Sequence, residues 1–529
     1  RKQSWDNPWD ISAMSTYNTI TSLSESPLEE GLIYAGTDDG FIQVTSNGGD
    51  SWTKIPVTQL GLPGRTFIND IKADLHDVNT VYVCLDNHKE GDFNPYIFKS
   101  TDQGKTWKSI SSNLPKRTLI WRLVQDPIAK NLFFAATEFG IYTSVNSGVS
   151  WQKLPGTPNS SFRDLVIQKR ENDLVAASFG RGFYVLDDYS ALREMTPENL
   201  SKKGVLFKPR TAKWFVPRSK VGNTGADYYF AKNPKFGAVF TYHLSNDYPT
   251  QKEIRKQRER SLNKRLQNIT FPGWSKVDKE IYEAKAKVWL SISDLNGNII
   301  RNISKTAKKG SDRIAWDLRH PSNRSIGSNS RYGSNSGPIA SPGNYNASLY
   351  LEHNGKISKL DGPIEFEVKP IREGVLKGVS FEEYNSYKND LSAIQNQVYE
   401  VNDLLKQSLN KISDFKKALS RIKINPGELN SNVFKLENIL REINLEINGS
   451  DAKKQIGEKR TPTIQNRLSV AQRGLSTTYG PTMLHKKSMN LASKAVKLIK
   501  PKVEKIYNED IPKIKNDLIK AGSPYLNIN

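Results

Sequence analysis

The sequence predicts a multi-domain chain that is mainly β and then α. It reads as a partial β-propeller, then an immunoglobulin-like β-sandwich, then a C-terminal antiparallel helical bundle. Three observations predict this. An eight-residue turn ending in Trp occurs three times before residue 152. The middle of the chain alternates apolar and polar residues around Asn-Gly turns. From Tyr384 onward, apolar residues recur at three- and four-residue steps. The chain has 529 residues, enough for roughly three domains. The expected borders are 1–198, 199–372 and 373–529.

The turn comes first. "TSNGGDSW" (45–52), "STDQGKTW" (100–107) and "SVNSGVSW" (144–151) share one pattern: Ser/Thr, any, Asp/Asn, any, Gly, any, Ser/Thr, Trp. They recur about every 45 residues, the period of four-stranded propeller blades. Gly49, Gly104 and Gly148 supply the residue that tolerates positive φ. Asn47, Asp102 and Asn146 are placed to accept backbone N–H bonds inside the turn. Trp52, Trp107 and Trp151 cover it with an apolar face. Short strands precede each turn: "FIQV", "YIFK" and "IYTS". A fourth unit, "DLVAASFGRGFYVLDD" (173–188), parallels "NLFFAATEFGIYTSV" but lacks the turn.

The pattern resembles the Asp-box, or BNR repeat, of sialidases, sortilin-like receptors and xyloglucanase-like glycosidases. In those families the box joins the outer strands of a blade, away from the ligand site. The resemblance therefore implies a structural role for the nine box residues named above. The closing "GRGFYVLDD" resembles the end of the propeller in large bacterial exported proteins with sortilin-like repeats, often labelled glycosyl hydrolases. Four units do not easily close a ring, and an open array exposes strand edges. The chain is thus expected to be the C-terminal part of such a protein, with further blades upstream or on another chain.

The middle segment contains "GAVFTYHLS", "AKVWLSISDLNGNIIRNIS", "DRIAWDLRHP" and "PGNYNASLYLEHNGKISKL". Asn296-Gly297 and Asn354-Gly355 are hairpin signals. The alternation reads as a sandwich, with Trp316 as a core plug. One insertion, "QKEIRKQRERSLNKRLQN" (251–268), is helix-prone, polar almost all round and basic. Arg255, Lys256, Arg258 and Arg260 are its candidate contacts for an acidic partner. Its thin apolar face disfavours membrane insertion. The Ser/Gly-rich segment 321–343 reads as a flexible loop.

The tail begins with Ser380 and Glu383, a capping-box pair. Tyr384, Tyr387, Leu391, Ile394, Val398, Val401, Leu405, Leu409, Ile412, Phe415, Leu419 and Ile422 then form one stripe. Pro426-Gly427 breaks it. Further helices are expected around 432–448, 463–476 and 491–520, folding back as a bundle.

Composition narrows the function. The net charge is +22, distributed as about −5 over 1–200, about +17 over 201–370 and about +10 over 371–529. The basic segments carry no zinc-finger spacing and no RNA-binding aromatic signature, so no nucleic-acid partner is expected. One cysteine, Cys84, excludes an internal disulfide. No apolar run reaches the length of a transmembrane segment. No cofactor or metal is expected. Asp86-Asn87-His88 with Asp92 reads as a polar loop.

Glycoside hydrolysis needs two carboxylates flanking the scissile bond. The weak candidates are Asp38, Asp39, Asp70, Asp86 and Asp92, none of them in a recognisable catalytic motif. The main expectation is a non-catalytic protein-interaction scaffold, an extracytoplasmic subunit of a periplasmic or cell-surface assembly with protein partners. The alternative is a xyloglucanase-like or sialidase-like glycoside hydrolase acting on polysaccharide.

Overall fold

The three Trp turns each join the two outer strands of a four-stranded antiparallel sheet. These sheets are seen in a computed structural model that describes residues 19–217, 229, 231–323, 336–374, 376–459 and 461–524. The first blade is β1 (Ile20–Glu25), β2 (Ile33–Thr37), β3 (Phe41–Thr45) and β4 (Thr53–Pro56). The second is β5 (Phe67–Ala73), β6 (Val81–Asn87), β7 (Asp92–Ser100) and β8 (Lys108–Ser109). The third is β9 (Ile120–Gln125), β10 (Phe133–Thr137), β11 (Gly140–Ser144) and β12 (Gln152–Lys153). The fourth has three strands, β13 (Phe162–Gln168), β14 (Asp173–Ser178) and β15 (Phe183–Leu186).

Within each blade the strands pair in sequence order, as a meander. Side chains alternate faces along a strand, so each blade presents apolar residues to the blade on either side. Ile42, Ile55 and Val44 pack with Ile68, Val81 and Val83 between the first and second blades. Tyr82, Cys84 and Ile97 pack with Ile120, Phe133 and Trp151 between the second and third. Phe134, Ile141 and Leu154 pack with Phe162, Leu165 and Leu174 between the third and fourth. Burial pushes the Cys84 thiol well above its usual range, so it behaves as a small apolar plug.

Two compact units divide the chain. The first holds the described residues up to Arg210 with Thr241–Asp247 and Lys308–Asp312. The second holds Thr211–Phe240, Tyr248–Ala307 and the described residues from Arg313 onward.

The first unit also includes β16 (Gly204–Leu206), paired with residues 242–244. In the second unit the strands are β17 (Ala212–Trp214), the start of β18 (Ala238–Leu244), β19 (Lys287–Ser293), β20 (Ile299–Thr306), the end of β21 (Gly310–Trp316), β22 (Arg319–Pro321), β23 (Ser336–Ile339), β24 (Gly343–His353) and β25 (Lys356–Pro370). A five-stranded sheet runs β17-β25-β24-β19-β20. Its longest hairpin, β24–β25, turns at Asn354 (φ 52°) and Gly355 (φ 73°), both left-handed as a tight turn of this type requires. Phe366 from this sheet meets Phe240 edge-on at 5.0 Å and Trp316 at 6.1 Å. Trp316 is fully buried. Residues 324–335 of the Ser/Gly-rich segment lie outside the described residues.

The longer helices of the second unit are α1 (Gln251–Lys264), α2 (Trp274–Tyr282), α3 (Phe381–Leu419), α4 (Gly427–Asn448), α5 (Ile464–Arg473), α6 (Met483–Lys505) and α7 (Ile511–Lys520). Ser380 caps α3 by accepting the Glu383 N–H. The buried stripe of α3 follows the expected residues as far as Leu405, then continues through Ser408, Ile412, Phe415 and Ala418. The expected Leu409 and Leu419 lie one step off it, because a straight helix drifts relative to a strict heptad. Ser408 is tolerated in the core because its hydroxyl donates to Leu404 O at 2.7 Å. The last helix, expected as one piece, is two helices joined by a π-turn, Ile506–Asp510. Pro512 follows that turn and has no N–H to give to a regular ladder. No helix among the described residues is long and apolar enough to cross a membrane.

The start of α3 is fixed to the sheet region by polar contacts. Tyr384 donates to Ile339 O at 3.3 Å or to Leu475 O at 3.2 Å. Lys388 donates to His320 Nε2 at 2.9 Å, which requires a neutral imidazole carrying its proton on Nδ1. Burial, with Lys388 and Arg301 nearby, holds His320 down to about 4. The unfolded chain takes up this proton at ordinary histidine pH and the folded chain does not. Stability is therefore lost as pH falls from about 6.5 to about 4, by about 3 kcal/mol in all. Denaturant unfolding of the helical unit across this range should show that slope, and His320→Gln should flatten it.

Candidate functional site

The first strand of every blade carries an irregularity at one place. Register shifts fall between Ile20 and Ser22, Ile68 and Asp70, Ile120 and Arg122, and Phe162 and Asp164. The extra residues are Thr21, Asn69, Trp121 and Arg163. A bulge re-aims a side chain that would otherwise stay in the ladder. Thr21 donates to Ile68 O at 2.6 Å and Asn69 to Ile120 O at 2.7 Å, each reaching the next blade. Trp121 and Arg163 meet each other instead: the guanidinium sits 3.5 Å from the indole ring centre.

The residues just after the bulges form a chain across all four blades. Ser22 donates to Asp70 at 3.3 Å, and Arg122 donates to Asp70 at 3.0 Å. Leu123 N–H donates to the other Asp70 oxygen at 3.0 Å, and Arg122 Nε donates to Asp164 at 3.2 Å. The Asp70 side chain is fully buried.

Trp121 and Arg163 open onto a cleft of about 830 Å³. It lies at the end of the blades where β10 passes into β11. Phe93 and Phe139, both roughly half exposed, supply aromatic surface, and Lys116, Arg117 and Lys153 supply positive charge. Glu138 is the carboxylate among the lining residues. It accepts from Trp121 Nε1 at 3.0 Å and from Ser161 at 2.9 Å, with Arg163 at 4.0 Å. His88 also lines the cleft, its ring edge-on to Trp121 at 6.2 Å and its Nδ1 against the Asp86 carboxylate. Aromatic surface beside fixed polar groups suits a ligand with an apolar face and hydroxyls around its edge, as a sugar ring has.

The five carboxylates singled out from sequence are placed differently. Asp86 stands behind His88, with its side chain 2% exposed. Asp38 accepts from Thr19 N–H at 3.0 Å, and Asp39 is buried against the Thr37 hydroxyl at 2.6 Å. Asp70 is the inter-blade pin described above. Asp92 accepts from Tyr96 OH at 2.5 Å and from Asn94 N–H at 3.0 Å. Burial pushes Asp92 up, but those bonds outweigh it and hold it below the usual carboxylate range. None of the five, Asp86 included, is among the residues lining the cleft.

Glu138 is not among the carboxylates that the sequence singles out. Its signal was the alignment of "AGTDDG" with "AATEFG", which puts Glu138 at the position of Asp38. The paired registers put Asp86 there too.

The boxes lie at the opposite end of the blades from the cleft. In each, the first hydroxyl donates to the Asx oxygen: Thr45 to Asn47, Ser100 to Asp102 and Ser144 to Asn146, at 2.7–2.9 Å. The glycine N–H of Gly49, Gly104 or Gly148 returns to that hydroxyl at 2.8–3.0 Å. The Asx oxygen also accepts the N–H of Ser51, Thr106 or Ser150 at 2.8–3.1 Å. The Thr106 hydroxyl and N–H, with Ser100, hold Asp102 at about 2. A Cβ at Gly104 would stand 2.9 Å from Ile55, and one at Gly148 2.9 Å from Ile110. Both neighbours belong to the preceding blade's outer edge.

Of the four basic residues on α1, Arg255 is committed within the chain. Its guanidinium makes two bonds to Glu280, at 2.8 and 2.7 Å, and one to Glu259 at 2.7 Å. Its planar fork is filled by these bonds within the chain. Lys256, Arg258 and Arg260 are exposed.

No family model matches the chain. Curated proteins do. The chain is 29% identical over 144 residues to a xyloglucanase of a Paenibacillus species, a match covering 25% of this chain and 14% of that protein. It is 29% identical over 145 residues to a xyloglucanase of Acetivibrio thermocellus, covering 25% and 17%. It is 28% identical over 140 residues to a xyloglucanase of Hypocrea jecorina, covering 24% and 17%. The chain thus matches about a sixth of the length of these relatives. Among solved structures, YCF48 from Cyanidioschyzon merolae is 18% identical with a TM-score of 0.25, over 33% of this chain and 54% of that one. The GH74 xyloglucanase from Xanthomonas campestris is 13% identical with a TM-score of 0.28, over 65% and 45%.

These relatives correct the main functional expectation. The sequence reading favoured a non-catalytic interaction scaffold, but the curated proteins that match are enzymes, xyloglucanases. A repeat that resembles one found in both binding proteins and hydrolases marks a fold and not a function, so by itself it could not separate them.

Asp70 serves as a test of the inter-blade chain. Asp70→Ala would leave the Leu123 N–H and one side of the Arg122 guanidinium unpaired in a buried place. The expected loss is about 3 kcal/mol, read as a lower denaturant midpoint at unchanged slope.

Proposed function

We propose that this chain is part of a propeller-type glycoside hydrolase acting on a polysaccharide of the xyloglucan kind, and that the cleft beside Trp121 holds the sugar chain. The identity with xyloglucanases carries the reading. The cleft supports it: Phe93 and Phe139 offer faces for sugar rings, and Glu138 and His88 offer fixed polar partners. We further read residues 1–198 as propeller blades, 199–372 as an immunoglobulin-like sandwich and 373–529 as a bundle. The protein would work outside the cytoplasm, where such polysaccharides are met.

Hydrolysis needs a second carboxylate across the bond from the first. Glu138 lines the cleft, and Asp86 is shielded by His88. The second acid would come from blades beyond these four. Apolar residues exposed at both ends of the array support such neighbours: Ile20, Leu23 and Trp52 on the first blade, and Val166, Phe183 and Val185 on the fourth. A preceding blade would cover Trp52, as the first blade partly covers Trp107.

The test has two arms. Calorimetric titration of this chain with xyloglucan oligosaccharides should show binding, weakened about fivefold or more in Phe139→Ala, by loss of one aromatic contact. In the natural full-length protein, Glu138→Gln should cut the release of reducing ends from xyloglucan by at least about a hundredfold while melting stays unchanged. Absence of both binding and release would sink the proposal.

A further inference from the structure

Helices α1 and α2 form a hairpin that contributes nothing to a core. Neither helix has a buried residue. Polar contacts at the base clasp them together: the Arg255–Glu280 fork, Gln251 N–H to Glu283 at 2.7 Å, and Lys285 to Glu253 at 2.9 Å. Thr250 and Glu253 close a capping box at the start of α1.

The connecting tip is apolar. Leu266 is 95% exposed, Ile269 48%, Phe271 57% and Trp274 73%. Phe271 and Trp274 stack edge to face at 5.0 Å, making one projecting surface. Leu266 has φ of 54°, in the left-handed region that a glycine would occupy at lower cost. A strained leucine aimed into water serves neither the helix end nor any core.

Charge surrounds this tip. Residues 251–285 hold ten Lys and Arg against five Asp and Glu. Four of the acids, Glu253, Glu259, Glu280 and Glu283, are engaged in the clasp. Lys252, Lys256, Arg258, Arg260, Lys264 and Arg265 stay exposed.

We propose that this hairpin docks the protein on an anionic lipid surface, with Leu266, Ile269, Phe271 and Trp274 entering the headgroup–acyl boundary and the α1 cations meeting lipid phosphates. Exposed Trp, Phe and Leu at a convex tip, flanked by Lys and Arg, have the chemistry of an interfacial anchor. The thin apolar face of α1 then poses no difficulty, because the tip inserts and α1 stays among the headgroups. Two signals, apolar and electrostatic, reinforce each other. An acidic protein would satisfy the cations but would leave a projecting apolar tip without a pocket. The proposal is independent of the glycosidase reading.

The test is co-sedimentation of the whole chain with vesicles of phosphatidylcholine alone and of phosphatidylcholine with phosphatidylglycerol. Binding is expected to the anionic vesicles only, and it should fall as salt rises. The variant Leu266→Ser/Phe271→Ser/Trp274→Ser should bind at least about tenfold more weakly. Lys256→Glu/Arg258→Glu/Arg260→Glu should abolish binding at moderate salt. None of these residues is buried, so circular dichroism and melting should match the parent. Absence of binding at low salt would overturn the proposal. So would binding that the serine variant leaves undiminished, since the basic bundle would then explain it. Capture by immobilised poly-glutamate, with no vesicle binding, would assign the hairpin to an acidic protein instead.

Discussion

The contact of buried Asp70 with partly buried Arg122 is the one on which the arrangement of the blades depends. Arg122 reaches from the third blade to the carboxylate of the second and, through Nε, to Asp164 of the fourth. A buried carboxylate persists only when its partners are fixed, so this chain of contacts sets how far and at what angle adjacent blades turn. It works because each first strand is irregular at the same place. The irregularity carries the extra residue away from the ladder. In the first two blades that residue binds the neighbouring blade; in the last two it faces the cleft. One backbone device thus serves both cohesion and the site.

The blades also separate their two ends. One end carries tight turns built on local bonds, from hydroxyl to Asx oxygen to backbone. The other carries the connections that build the cleft wall. Loops that carry function can vary when a rigid scaffold holds their ends. Here the box turns hold the outer strands, and the cleft side is left to differ from blade to blade: Asp38, Asp86, Glu138 and Phe179 occupy one equivalent position in the four blades.

Much of this was legible in the sequence where the signal was local. The box reads directly, because the bonds among its hydroxyl, Asx and glycine residues fall within eight residues. The strand alternation, the Asn354-Gly355 turn and most of the α3 stripe read directly for the same reason. The inter-blade chain did not. Its members are Ser, Asp, Arg and Asp, about fifty residues apart, with no residue type common to all four to reveal a repeat. Asp70 therefore looked like a free acid when it is a buried tie. Glu138 was hidden by the opposite problem: it stood inside a repeated segment, "NLFFAATEFGIYTSV", where repetition points to structure. Arg255 looked like surface charge because its partner, Glu280, lies on the returning helix. The division between scaffold and hydrolase was not legible at all, because the repeat is common to both.

The box glycines have one more consequence. Gly104 and Gly148 sit against Ile55 and Ile110 of the preceding blade, so each turn that finishes a blade also seals it to the one before. Such an array is coupled only between nearest neighbours. Its cohesion behaves like a row of identical joints, in which interior members are held on two sides and the end members on one. Opening should then begin at the ends and move inward blade by blade, with Trp52, 43% exposed where Trp151 is 2% exposed, marking the end that would fray.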